Sequence, residues 1–183
     1  MLTATTVSTE QEWVQILHLQ QQNLVTKIDD TEKKEQGFVT VHHTLDVLQQ
    51  MHNLAPSIIV KDGDQVAGYA LVMMRPCRQL LPILEPMFAL FDSLTWQGKP
   101  LNDYRFYVMG QVCVAKEYRG KGIFELLYHK HRDVYQPTND FIITEVATRN
   151  ARSVRAHEKV GFKVLHTHRD DQDEWHVIIW DWK

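Results

Sequence analysis

The sequence predicts an α/β domain in which helices flank a mixed, mostly antiparallel sheet, and three stretches carry that expectation. Ser57-Ile58-Ile59-Val60-Lys61 and Val66 to Met74 flank Asp62-Gly63-Asp64, a strand, turn, strand signal. Phe162 to His168 and Trp175 to Trp182 alternate around the acidic segment Asp170-Asp171-Gln172-Asp173-Glu174, which predicts a second hairpin. Between them, Tyr104 to Ala115 places apolar residues on both faces, as a central strand requires, and leads through Arg119-Gly120-Lys121-Gly122 into a helix.

The remaining elements follow in order. A strand from about Thr3 to Val7 reaches Ser8 and Thr9, with Gln11 and Glu12 three residues on, so two overlapping capping boxes predict a helix start. Trp13, Ile16, Leu17, Gln20 and Leu24 fall at helical spacing, Asp29 to Gln36 predicts a loop, and His42 to Met51 a second, shorter helix. Residues 79–94 are apolar but interrupted by Pro82 and Pro86, so a helix there starts near one of them. Gly98-Lys99-Pro100 closes this insertion. After the Gly122 turn, Ile123, Phe124, Leu127, Tyr128, His131, Val134 and Tyr135 recur with a period near 3.6 until Pro137. A strand over 141–146 follows, then a helix from Asn150 that stops at Gly161.

A chain of 183 residues suits one domain spanning 1–183, and 44% hydrophobic with 23% charged residues is ordinary for a globular protein. No apolar run approaches the roughly 20 residues of a spanning helix, so no membrane partner is expected. The first residues carry neither a basic segment nor a long apolar stretch, which points to a cytoplasmic location. A net charge of −3 without a basic block argues against nucleic acid. Cys77 and Cys113 are expected to be free and buried. His166, His168 and His176 have a spacing compatible with metal ligation, but polar strand faces supply such trios without metal, and none is expected. Trp180 and Trp182 on the last hairpin make a homodimer an expectation.

Two motifs carry the chemistry. An apolar strand entering a glycine-bracketed turn and then a helix makes an anion site, because the first helical N–H groups lack intrahelical partners and the dipole is positive there. Gly120 and Gly122 allow the tight turn and close backbone approach, and Arg119 and Lys121 add charge. Downstream comes Asn150-Ala151-Arg152-Ser153-Val154-Arg155-Ala156-His157-Glu158-Lys159-Val160-Gly161-Phe162. Together these resemble the acetyl-CoA-binding core of the GNAT superfamily of N-acetyltransferases. Its first signature, Gln/Arg-x-x-Gly-x-Gly/Ala, aligns at Arg119, Gly122 and Phe124, the last departing from a small residue. Its second, an Asn-led helix ending Tyr-Glu-Lys-x-Gly-Phe, aligns at Asn150, Glu158, Lys159, Gly161 and Phe162, with His157 in place of the tyrosine.

The resemblance implies a GNAT-like sheet and acetyl-CoA as co-substrate. It implies that the main chain of Val112, Cys113 and Val114 pairs with the pantetheine arm and that the N–H groups around Arg119, Gly120, Lys121, Gly122, Ile123 and Phe124 hold the pyrophosphate. Asn150 then touches the pantetheine or caps its own helix, Ser153 and Arg152 on the same first turns approach the cofactor, and an amine acceptor, a small molecule or a peptide, enters between the first two helices. His42 and His43 are placed to line that approach, with Trp96, Tyr104, Tyr107 and Trp175 as candidate walls and the acidic segment as an attractor for a cationic amine.

An amine must lose a proton to attack, so a general base is required. Glu145 is the first candidate, because an apolar strand needs a reason to carry a carboxylate at its end; the alternative is a solvent-facing glutamate. Glu85, in the insertion, is a weaker one. By its alignment His157 is the candidate acid for the departing thiolate, against the alternative of a helix histidine that packs locally. The expected activity is therefore transfer of an acetyl group to a primary amine by direct attack. The alternatives are a non-catalytic acyl-CoA-binding or sensor module, and a generic nucleotide-binding turn, which lacks the Gly-x-x-x-x-Gly-Lys-Ser/Thr spacing.

Overall fold

The structure, a computed structural model, describes residues 1–29, 31, 33 and 38–183; most of the predicted 29–36 loop lies outside them. The main sheet has seven strands: β1 (Leu2–Thr6), β2 (Ile58–Asp62), β3 (Gln65–Met73), β6 (Phe106–Val114), β7 (Phe141–Ala147), β8 (Lys163–Arg169) and β9 (Glu174–Asp181). Their order is β1-β2-β3-β6-β7-β9-β8. The two short strands β4 (Thr95–Trp96) and β5 (Lys99–Pro100) form a separate hairpin in the insertion. Among the described residues the longer helices are α1 (Glu10–Asn23), α2 (Leu45–Leu54), α3 (Glu85–Ser93), α4 (Ile123–Tyr135) and α5 (Ala151–Val160).

Strand alternation builds a core on each face of the sheet. Tyr69, Leu71 and Met73 of β3 join Ile16 and Leu19 of α1, Leu48 of α2 and Phe88 and Phe91 of α3. Ala70 and Val72 face the other way, against Ile123, Leu127 and Tyr128 of α4. Ile58 and Ile59 of β2, both fully buried on opposite faces, each contribute roughly 1.5–3 kcal/mol relative to exposure.

Local signals fix several boundaries. The Thr9 hydroxyl accepts from the Glu12 N–H at 3.3 Å while the Glu12 carboxylate accepts from the Thr9 N–H at 3.1 Å, a complete capping box. Thr9→Ala is expected to cost about 1 kcal/mol of stability, read as a lower urea midpoint with unchanged slope. Thr44 caps α2 through the Val47 N–H, which starts that helix three residues later than its apolar pattern suggests. Pro86 sits in the first turn of α3, where its missing N–H costs nothing.

All neighbouring strands of the main sheet are antiparallel except β6 and β7, whose parallel pairing is bridged by α4. That pairing lasts only from Phe106–Phe141 to Val108–Ile143. Immediately beyond, β6 carries one extra residue against β3 between Met109 and Val112, a bulge. The two strands part here, and from Met109 to Val114 alternate peptide groups of β6 face an opening instead of a neighbouring strand.

The expectation of an exposed tryptophan hairpin is corrected. Trp180 is 8% exposed, packed on Tyr128 and Phe162 with the Arg132 guanidinium over its ring, and half-buried Trp182 packs against Tyr107. Helix α4 covers both, which removes the apolar patch on which a dimer was expected.

Candidate active site

The opening between β6 and β7 is the floor of a cleft with two lobes. The larger, about 310 Å³, lies between β6, the turn after it and the starts of α4 and α5. The smaller, about 80 Å³, lies between the β6 bulge and the end of β7. Phe38, Val39, Val112, Asn150 and Ser153 line both, so they form a waist joining one lobe to the other.

In the larger lobe, Gly120 and Gly122 both have φ of 76°. A Cβ built on either would meet no protein atom within 4 Å, so the space beside the turn is open. Gly122 is the N-cap of α4, has no side chain to offer, and the first intrahelical bond runs from the Leu126 N–H to its carbonyl at 3.1 Å. The N–H groups of Ile123 and Phe124 therefore have no partner within the helix, that of Glu125 faces its own carboxylate, and all three residues line the lobe. Such a turn can cradle an anion with its backbone. Val112, Cys113 and Val114 form the adjoining wall. Burial pushes the Cys113 thiol up to about 12 against the opposing charge of Arg119, which makes it an inert core group.

The basic side chains are less direct than their positions in sequence suggest. Arg119 donates to Asn23 Oδ1 at 2.6 Å, tying the turn to the end of α1. The Lys121 ammonium lies 5.0 Å from the centre of the Tyr118 ring and its side chain is not among the lobe's walls, so its expected contribution reduces to its backbone. Lys159 lines the lobe but pairs with Glu125 at 2.6 Å. Phe124, the departure from a small residue, packs at 5.0 Å against both Tyr128 and His157.

At the waist, Asn150 Oδ1 accepts from the Ser153 N–H at 3.3 Å, capping α5, and Asn150 Nδ2 donates to the Phe38 carbonyl at 3.3 Å. The Arg149 guanidinium stacks 4.7 Å from the Phe38 ring. Phe38 to Thr40 is thereby held across the mouth of the smaller lobe.

Glu145 lines that lobe with its side chain 13% exposed, and accepts a 2.7 Å hydrogen bond from His168 Nε2. Burial raises its pKa above the ordinary carboxylate range, partly offset by His168. Gln111, inside the bulge, is held by a buried network. Its Oε1 accepts from the Tyr69 hydroxyl at 2.6 Å and from Gln20 Nε2 at 2.9 Å, and its Nε2 donates to the Val41 carbonyl at 2.7 Å. Gln20 Nε2 also donates to His43 Nδ1 at 2.9 Å. His43 is thus a fully buried member of this scaffold with its pKa lowered to about 4 by desolvation, while His42 is exposed.

His157 needs a correction to its expected chemistry. It is 2% exposed, and its Nδ1 lies 2.8 Å from the Ser153 carbonyl, which can only accept, so Nδ1 carries the proton. Nε2 therefore accepts from the Tyr128 hydroxyl at 2.6 Å. Desolvation lowers its pKa to about 4. A neutral imidazole with both nitrogens engaged has no proton free for a leaving group in the cleft.

Other candidates fall away. Glu85 is bound to Arg78 in a surface ion pair, and Trp175 alone of the proposed aromatic walls borders the cleft. His176 faces the opposite side of the sheet from His166 and His168 and bonds Thr167 at 2.8 Å. Among the described residues no group of three His, Cys, Asp or Glu converges on a metal site, and no helix is long and apolar enough to cross a membrane. Sequence reasoning missed His168 as the partner of Glu145, and it missed Gln111, whose signal was a lone amide within the apolar run Val108 to Val114.

Comparison with known proteins places the chain in a family. The sequence model of the acetyltransferase (GNAT) family matches residues 25–162, and the chain belongs to that family. It is an acetyltransferase that uses acetyl-CoA as co-substrate. No curated protein sequence matches it. Among solved structures, it is similar to yncA of Salmonella typhimurium with its cofactor acetyl-CoA, at 14% identity and a TM-score of 0.62 over 100% of this chain and 94% of that one. The ribosomal-protein alanine N-acetyltransferase of Escherichia coli is 12% identical, with a TM-score of 0.64 over 99% and 94% of the two chains. A spermidine N-acetyltransferase chimera from Vibrio cholerae and hSSAT is 15% identical, with a TM-score of 0.61 over 98% and 95%. These likenesses establish the fold.

Proposed function

We propose that the chain transfers the acetyl group of acetyl-CoA to a primary amine of a small molecule or peptide by direct attack. The observation that carries this reading is the continuous two-lobed cleft, with uncapped helical N–H groups at one end and a buried carboxylate at the other. The Gly120 to Glu125 backbone fits a pyrophosphate, since it offers open donors and space that a Cβ would otherwise fill. The free edge of Val112 to Val114, with Asn150 and Ser153 opposite, fits the amide-bearing pantetheine arm. The cofactor supplies an acetyl thioester.

The residues of this chain then do the rest. Glu145 accepts the proton of the incoming amine, and His168 holds its carboxylate in the lobe. In this reading the β6 bulge, fixed through Gln111, supplies peptide N–H groups for the negative charge that develops on the thioester carbonyl. Both small amines and peptide termini are acceptors of fold relatives, spermidine and a ribosomal-protein alanine among them, and either class is an acceptor to test.

Calorimetric titration with acetyl-CoA, coenzyme A and ATP tests the cofactor half of this reading. Saturable binding of both coenzyme forms, with ATP much weaker, is expected. Saturation by ATP alone would replace it with a nucleotide-binding turn.

A further inference from the structure

The family's signature places a tyrosine where this chain has His157, and the buried imidazole has no proton to spare, which leaves the departing sulfur without a donor. We propose that the Ser153 hydroxyl donates a hydrogen bond to the departing thiolate, and that His157 and Tyr128 aim it. This rests on acetyl-CoA occupying the cleft as proposed above.

Ser153 stands at the waist, lining both lobes, so a thioester reaching from the phosphate cradle toward Glu145 passes it. It is the one waist residue with a hydroxyl. Of the other side-chain donors lining the smaller lobe, Thr40 is exposed to solvent and the rest are engaged with protein acceptors. Thr144 Oγ1 donates to the Met109 carbonyl at 2.8 Å, Trp175 Nε1 to Asp170 at 3.0 Å, and Gln111 and Asn150 to the Val41 and Phe38 carbonyls.

The direction of Ser153 follows from its neighbours. The Ser153 carbonyl can only accept, which holds the His157 proton on Nδ1, so Nε2 accepts from the Tyr128 O–H. The Nδ1–H points at the Ser153 carbonyl, 2.8 Å away, with Ser153 Oγ at 3.3 Å on its edge. An N–H is no acceptor, so the serine proton is not spent on the ring, and in the proposed geometry it is turned into the cleft that Ser153 lines. Tyr128 and His157 are buried and held edge-to-face among Phe124 and Phe162, which fixes the chain. His157 thus serves as a positioning residue.

The bookkeeping of the step closes without a charged serine. The amine nitrogen bonds to the acetyl carbon, the carbon–sulfur bond breaks, and its electron pair stays on sulfur. The amine proton leaves through Glu145 to solvent, and solvent returns one to the sulfur. Ser153 stabilises the thiolate in between and keeps its own proton.

A hydrogen bond to a charged acceptor is worth about 1.5–3 kcal/mol, or roughly 10- to 100-fold. Ser153→Ala is therefore expected to lower the single-turnover rate at saturating acetyl-CoA by at least about tenfold, with acetyl-CoA affinity within about twofold of wild type. Ser153→Thr, which keeps the hydroxyl, should recover most of that rate. His157→Asn, whose amide can stand in for Nδ1–H, should outperform His157→Phe in kcat while both bind acetyl-CoA.

A readout independent of turnover is the pH dependence of coenzyme A binding. The ordinary thiol pKa is about 8.5, and a donor to the thiolate lowers it when bound. Coenzyme A, but not desulfo-coenzyme A, should bind wild type more tightly between about pH 7 and about pH 9, and Ser153→Ala should abolish the gain. An unchanged single-turnover rate, or a gain retained in the variant, overturns the proposal. So does a loss confined to acetyl-CoA affinity, which would make Ser153 a cofactor contact only. Failure of wild type to bind acetyl-CoA would instead remove the reading on which the proposal rests, and the proposal with it.

Discussion

Glu145→Gln is expected to lower kcat/KM for the amine by at least about a hundredfold, the scale of a lost general base, while acetyl-CoA binding stays within about twofold. The substitution is nearly isosteric, and the carbonyl oxygen of the introduced amide can still accept from His168, so geometry is retained and only basicity is lost. The pH profile carries a second signature. Burial raises the Glu145 pKa, so the acidic limb of the wild-type profile should rise at a higher pH than an ordinary carboxylate near 4.5 would give. In the variant that limb disappears.

Stability should move the other way. A carboxyl whose folded pKa lies above its unfolded value destabilises the fold wherever it is ionised, and the cost is relieved as pH falls through the raised folded pKa toward 4.5. At neutral pH the glutamine variant should therefore be at least as stable as wild type by urea denaturation. A wild-type rate in this variant would assign proton removal to another group or to water. A large loss of stability would show that the carboxylate is structural.

Replacing Gly120 and Gly122 together by alanine should weaken acetyl-CoA binding by about 10- to 100-fold, the largest expected effect on the cofactor. Both residues hold φ of 76°, where an L side chain costs roughly 1–2 kcal/mol, so the turn will relax away from its present shape. The open N–H groups of α4 then lose their common aim, and each hydrogen bond lost to a charged phosphate is worth about 1.5–3 kcal/mol. The added methyl groups meet no protein atom, so any steric penalty falls on the ligand. Lys121→Ala makes the control, because its ammonium is turned onto Tyr118, and its effect should stay below about threefold. An alanine pair that binds acetyl-CoA normally would place the phosphates elsewhere.

What could be read from sequence was mostly what is local. The Thr9 capping box, the Gly63 hairpin, the Gly122 turn and the Gly161 helix stop each depend on neighbours within a few residues, and each stands where expected. Glu145 was visible because a carboxylate in an apolar strand is costly without a purpose. Its partner was not. His168 reaches Glu145 only through the β7–β9–β8 register and the irregularity between Val164 and His166, neither of which periodicity records.

The Gln20, His43, Tyr69 and Gln111 network joins residues up to 91 positions apart, so it too needed the fold. His157 was assigned by its place in a motif, and only Tyr128, one strand and one helix away in the chain, together with the Ser153 carbonyl shows that both ring nitrogens are engaged although the residue borders the smaller lobe. The alternation of Trp180 and Trp182 was correct, but alternation cannot say that α4 covers the outer face.

The most direct test is release of free thiol from acetyl-CoA by the wild-type protein across a panel of diamines, polyamines and peptides with free amino termini, with the acetylated product identified by mass. The account predicts release that requires a primary amine, matches acetylated product one for one, and rises with pH as the amine and Glu145 lose their protons. Saturable acetyl-CoA binding with no amine in the panel raising thiol release above the amine-free rate would contradict it and leave a cleft that senses acyl-CoA without using it.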